Sequence, residues 1–170
     1  MPKAETTTGT DIEAKLIAAE QRYFDFIHNS LEGIWRFELD EPIPTSLPLS
    51  KQLKLVFKGA YLAEANDAMA KMYGLESADQ IIGARLSDLM DKNAPQNIQY
   101  FKAFIASGYN LQGKESEEVD VNGNKKYFLN SLVGVIENDA VIRAWGTQLD
   151  VTPQHQTTEA LKQSQERQIG

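Results

Sequence analysis

The chain of 170 residues contains no cysteine and only two histidines. The missing cysteine excludes disulfides, thiolate nucleophiles, cysteine-held zinc and iron–sulfur clusters. It also suits a reducing, cytoplasmic setting. The two histidines, His28 and His155, are all the chain has for imidazole chemistry. No apolar run approaches the ~18 residues of a membrane span. The opening MPKAETTTGT is polar and lacks the apolar core of a signal peptide. Direct membrane insertion is therefore not expected. Positive charge is also in short supply, with 17 Lys and Arg against 24 Asp and Glu, a formal net charge of −7. A nucleic-acid surface needs clustered cations, so that class of partner is excluded. No Ser/His/Asp set, metal-ligand cluster or glycine-rich phosphate loop is visible, which argues against an enzyme. Glu64, Asp67 and Asp120 are the available acid–base candidates, and Asp67 is better read as a residue of the first turn of a helix.

What is present is ordinary for a globular domain: 42% hydrophobic and 24% charged residues, in a chain long enough to bury a core. Residues 1–10 read as a disordered tail. A helix follows over 11–30. Its Ile12, Leu16, Ala19, Tyr23 and Phe26 are spaced alternately four and three apart, a short heptad seam. Such a seam packs either on its own domain or against a second chain.

Gly33–Leu39 reads as a strand with Trp35, Phe37 and Leu39 on one face. The segment EPIPTSLPLS, with Pro42, Pro44 and Pro48, is expected to be an extended loop. Ser50 is placed to cap a short helix through Phe57. A second strand covers about 60–64. Asn66 opens a short helix that ends at Gly74. Two short turns follow, around 78–82 and 86–90. A longer helix over 95–107 carries Ile98, Phe101, Phe104 and Ile105 on its inward face and stops at Gly108.

Residues 113–152 read as three antiparallel strands, with turns at Asn122-Gly123 and Asn138-Asp139, closing on Asp150-Val151-Thr152. A polar helix runs from Pro153. Two early strands and three late ones imply an α+β design, a five-stranded antiparallel sheet with short helices on one face and a flanking helix at each end. The fifth strand is expected beside the first.

Alternation along the late strands puts Phe128, Asn130, Leu132, Gly134 and Ile136 on one face, and Ile142, Ala144, Gly146 and Gln148 on one face. Two amides, Asn130 and Gln148, would then point into an apolar interior. Buried amides need partners, so backbone or water satisfies them, or they orient a small polar ligand. The opposite face carries Leu129, Val133, Val135, Trp145 and Leu149. It too needs cover, from the first helix or from a partner chain. Trp145 is read as packing under that helix.

Three separated motifs carry a resemblance. The segment HNSLEGIWRFELD resembles the entry strand of PAS domains in bacterial sensor histidine kinases. NDAMAKMYGLESADQIIG resembles their N-x-A-x-x-x-x-Y-G run, and Asp150-Val151-Thr152 resembles the closing motif that joins such a domain to its output helix. The resemblance covers about residues 20–152, and residues 41–59 depart from it as an insertion. It implies a PAS domain over 31–152 and an output or linker helix over 153–170. The expected role is a cytoplasmic sensory module, linked covalently to effector domains such as a histidine kinase.

It also implies an apolar cavity, for which Asn130, Gln148, Phe101, Phe104, Ile105 and Leu132 are the candidate ligand-binding residues. Leu16, Tyr23, Trp145, Asp150 and Thr152 are the candidates for homodimerisation or signal relay. No histidine lies on the 95–107 helix, where haem-binding relatives place theirs, and Leu86 stands at the position of the cysteine in the photoactive flavin relatives. A non-photoactive flavin or a small metabolite remains open, with Asp120 in place of a second flavin-contacting Asn. A ligand-free dimerisation module is the alternative. Finally, Leu16–Arg22 and Leu161–Arg167 share the pattern L-x-x-[AS]-[EQ]-[EQ]-R, as in a tandem array of modules.

Overall fold

A computed structural model describes residues 8–119 and 122–169. Five strands form one antiparallel sheet: β1 (Gly33–Pro44), β2 (Ala60–Ala65), β3 (Asn110–Val119), β4 (Lys125–Glu137) and β5 (Ala140–Asp150). Their order is β2-β1-β5-β4-β3, so the last strand lies beside the first, as expected. Among the described residues six helices accompany them: α1 (Gly9–His28), α2 (Leu49–Gly59), α3 (Asp67–Met72), α4 (Leu86–Leu89), α5 (Pro95–Ala106) and α6 (Thr152–Ile169), with one 3-10 turn at Ala78–Gln80. Helix α1 starts at Gly9, slightly before the expected Asp11, and residues 1–7 of the expected tail lie outside the described residues.

Turn chemistry fixes most boundaries. Asn138 and Asp139 both adopt positive φ, the requirement of the two-residue turn that suits the twist of β4 and β5. Asn66 caps α3 by accepting from the Met69 amide at 3.0 Å. Pro95 opens α5, where a missing amide costs nothing.

Three expectations fail for identifiable reasons. Strand β1 does not stop at Leu39 but runs to Pro44, through Pro42. Its pairing with β2 ends at Leu39, and a bulge between Glu38 and Ile43 lets it resume with β5 at Val141 and Ala140. Prolines are tolerated there because that stretch is paired on one flank only. Ser50 does not cap α2. Pro48 is the capping residue, without a side-chain bond, and the turn is held from inside the helix. Gln52, buried, donates to the Thr45 carbonyl at 3.1 Å and the Leu47 carbonyl at 2.6 Å, and accepts from the Tyr109 hydroxyl at 2.6 Å. Lastly, a bulge between Val135 and Ile136 pairs Ile136 with Val141 and skips Ile142. Val141 is therefore the buried residue in place of Ile142, and Ile136 sits exposed at the rim.

The core lies between the sheet and helices α2–α5. One cluster gathers Phe57, Leu86, Phe101, Phe104, Ile105, Tyr109, Leu132 and Val141; another gathers Trp35, Leu62, Ala65, Met69, Ala70 and Ala78. Burying each large apolar side chain contributes about 1.5–3 kcal/mol. The insertion is part of this core, since Val56 and Phe57 of α2 are buried and Phe57 meets Phe101 edge-on at 5.1 Å. Ile98, expected on the inward face of α5, is only half-buried.

Candidate functional site

Asn130 and Gln148 are register partners on β4 and β5, so their side chains stand on the same inner face. They end differently. Asn130 is half-buried and donates to the Ser116 hydroxyl at 2.8 Å. Gln148 is 2% exposed. Its carbonyl oxygen accepts from the Tyr73 hydroxyl at 3.2 Å, and its Nε2 finds no acceptor. Leaving a buried donor unpaired costs on the order of 1–3 kcal/mol. The fold therefore keeps an amide hydrogen unsatisfied on its inner face, where a ligand acceptor would offset the loss.

The four apolar candidates come together as packed core. Phe101 and Phe104 meet at 6.5 Å, Phe104 meets Tyr109 at 5.0 Å, and Ile105 and Leu132 belong to the same cluster. Two further residues, which sequence reasoning did not assign, occupy the inner face. The Trp35 indole lies directly on Gly146, so a methyl group added there would overlap the ring. Tyr109 lies on Gly134, where an added Cβ would fall 2.7 Å from the Tyr109 Cβ. A glycine inside a strand often marks such a close approach, and that was the available signal. A flavin-sized ring has no place over β5 unless the Trp35 indole leaves it, so these residues do not fit a flavin. Leu86 is buried in the core, and Asp120 lies outside the described residues. Burial pushes the Tyr109 hydroxyl up to about 12, and Tyr100 likewise.

The two ends of the domain are joined to it differently. Asn66, fully buried, is the junction for α1. Its Nδ2 donates to the Ile27 carbonyl at 2.8 Å and the Glu32 carbonyl at 2.9 Å, while its Oδ1 accepts from the Ile34 and Met69 amides, both at 3.0 Å. One side chain thus ties α1, β1 and α3. The sequence marked Asn66 only as a cap.

On the outer face of the sheet, Tyr23 donates to Glu64 at 2.7 Å and packs edge-on against Trp145 at 5.9 Å. Burial, then the Glu64 bond, push Tyr23 up to about 12. Arg36 lies over Trp145 at 5.6 Å, pairs with Glu64 at 3.5 Å, and bonds Glu38, which also accepts from Arg143 at 2.8 Å. Burial works against the Arg36 charge, but its bond to Glu38 raises the guanidinium above its usual value. Helix α1 covers this face only near its C-terminal end. Leu16 is 57% exposed, Phe26 74%, and Leu129 and Val133 stay exposed on the sheet.

At the other end, Asp150 accepts from the Thr152 amide at 2.9 Å. The Thr152 hydroxyl does not cap α6; it bonds the Tyr127 amide on β4 at 2.9 Å. His28 sits against Phe24 at 4.1 Å and His155 stacks on Tyr127, so both lie outside the core. Among the described residues there is no group of three or more His, Asp or Glu arranged to hold a metal ion, and no helix is long and apolar enough to cross a membrane.

No family model matches the sequence, and no curated protein does. Solved structures do resemble it. An RNA-binding light-oxygen-voltage receptor superposes with a TM-score of 0.57 over 99% of this chain at 19% identity. The matched region is 41% of that receptor's length. A PAS domain from Colwellia psychrerythraea gives 0.52 over 80% of this chain and 98% of its own, at 16% identity. The chain has the PAS fold.

Proposed function

We propose that the chain is a sensory PAS module of a cytoplasmic signalling protein, with no catalytic role of its own. It binds a small ligand or a partner and relays the change through α6 to a covalently linked effector such as a histidine kinase. The observation that carries this reading is the buried Gln148 amide whose Nε2 has no acceptor, on the inner face beside Asn130. A small polar metabolite with an acceptor atom would satisfy it. Mass spectrometry of small molecules released on denaturing the purified protein tests this. A stoichiometric compound, lost in Gln148→Leu, is expected. Protein that releases nothing, and whose stability rises in Gln148→Leu, would overturn it.

A second reading is a ligand-free module for dimerisation. Trp35 on Gly146 and Tyr109 on Gly134 favour it, because the chain fills its own inner face with aromatic rings. Both readings include a homodimer built on the α1 seam and the outer sheet face. The exposed Leu16, Phe26, Leu129 and Val133 support that assembly.

A further inference from the structure

We propose that Tyr127 is the docking residue of α6, and that its clamp closes when His155 is protonated. This rests on the relay reading above, because it names how the output helix is held. The backbone and the ring of Tyr127 are both engaged by the start of that helix. Its amide donates to the Thr152 hydroxyl at 2.9 Å, and its carbonyl accepts from the Val151 amide at 2.8 Å. Its ring lies flat against the His155 imidazole, with centroids 3.6 Å apart and planes 3° from parallel.

The rest of α6 has little to hold it. Its sequence, TPQHQTTEALKQSQERQI, is polar on all sides, and Leu161 is 61% exposed. A helix that buries no apolar stripe gains little from packing, so its hold on the domain is concentrated in the first turn.

The charges around His155 give the clamp a direction. Glu115 of β3 places Oε1 3.5 Å from His155 Nε2. Lys125 and Lys126 of β4 line the same groove, as does Glu159 one turn along α6. Lys125 is held by Glu117 at 3.1 Å. Glu115 and Glu159 therefore set two carboxylates around the imidazole, with Lys126 lining the groove beside them. A neutral imidazole contributes stacking alone. An imidazolium adds the Glu115 ion pair and the attraction of a cation over a ring. Protonation of the imidazole therefore strengthens the docking of α6.

The test uses the full chain. Because it has no cysteine, Lys114→Cys and Gln163→Cys accept a pair of nitroxide labels at exposed positions on β3 and α6. Their distance distribution is measured by pulsed electron resonance at about pH 5 and about pH 8. A narrow distribution at the lower pH that broadens at the higher one is expected. Tyr127→Ala should be broad at both, Tyr127→Phe should behave as the parent, and His155→Gln should lose the pH response. Should Tyr127→Ala fail to fold, Glu115→Gln, at an exposed carboxylate, carries the test through loss of the pH response. A distribution that ignores pH, or a response that survives Glu115→Gln, overturns the clamp. Effector output is a separate measurement: a clamp that responds while output stays constant would sink the relay reading and leave the clamp standing.

Discussion

The Asn66 amide donates to the Ile27 carbonyl at 2.8 Å, joining the last turn of α1 to the start of α3 across 39 residues of sequence. Ile27 is the only buried residue of α1. The helix is therefore pinned at one end and free along most of its length.

Removing that pin should be costly. Asn66→Ala removes four hydrogen bonds and leaves the buried Ile34 and Met69 amides without their acceptor, and a cost on the order of 3 kcal/mol is expected. Asn66→Asp keeps the two amide bonds but turns an acceptor toward the Ile27 and Glu32 carbonyls, so it should also destabilise. Urea unfolding of the three proteins checks both.

Leu16→Glu with Phe26→Glu should lower the molecular mass in light scattering toward the monomer. Both side chains are exposed, so the domain itself should melt as before. An unchanged mass would remove α1 from the interface. Tyr23 is a poorer test site, because a carboxylate there would face Glu64.

Tyr23, Tyr100 and Tyr109 should ionise late, near pH 12, and the shifts give the sign of the stability change. A phenol whose folded value lies above the ordinary 10 stabilises the fold fully below pH 10. That contribution is lost as pH rises from about 10 through about 12. Ultraviolet titration should resolve a late-ionising group of phenols, and Tyr23→Phe should shrink it.

Thr152→Ala removes the hydroxyl that bonds Tyr127, at a cost of about 1 kcal/mol. In a protein that carries its effector, output should change more than the melting temperature. Output that merely follows the loss of folded protein would leave the junction with no part in signalling.

Gly146→Ala should destabilise by about 1–3 kcal/mol, because the new methyl group overlaps the Trp35 indole. Trp35→Phe in the same chain should recover part of that loss, as read by thermal melting.

Much of this fold is legible in the sequence because local chemistry dictates it. Asn138-Asp139 admits a turn with two positive φ values, Asn66 is a good cap, and alternation places Asn130 beside Gln148. The error on β5 has a clear cause, which is that alternation assumes an unbroken strand. Bulges after Glu38 and Val135 shift the register, so Val141 and not Ile142 turns inward. Contacts between distant segments carry no local mark. Nothing near Gln52 announces that it will hold the Thr45–Leu47 turn, and nothing near Tyr127 announces His155. Gly134 and Gly146 did carry a signal, since each is a gap in a strand that an aromatic ring fills.

The proline-bearing end of β1 has one more consequence. The Thr45 amide donates to the Asp139 carbonyl at 2.9 Å, so its backbone faces β5. By alternation, Pro44 and Pro42 turn their nitrogens to the opposite flank, where β2 no longer runs. A proline nitrogen carries no hydrogen, so that flank has no donor at either position. An unpaired strand flank ordinarily invites a foreign strand to add to it. Here the invitation is withdrawn at the backbone itself, and this end of the sheet resists the edge-to-edge association that leads to aggregates.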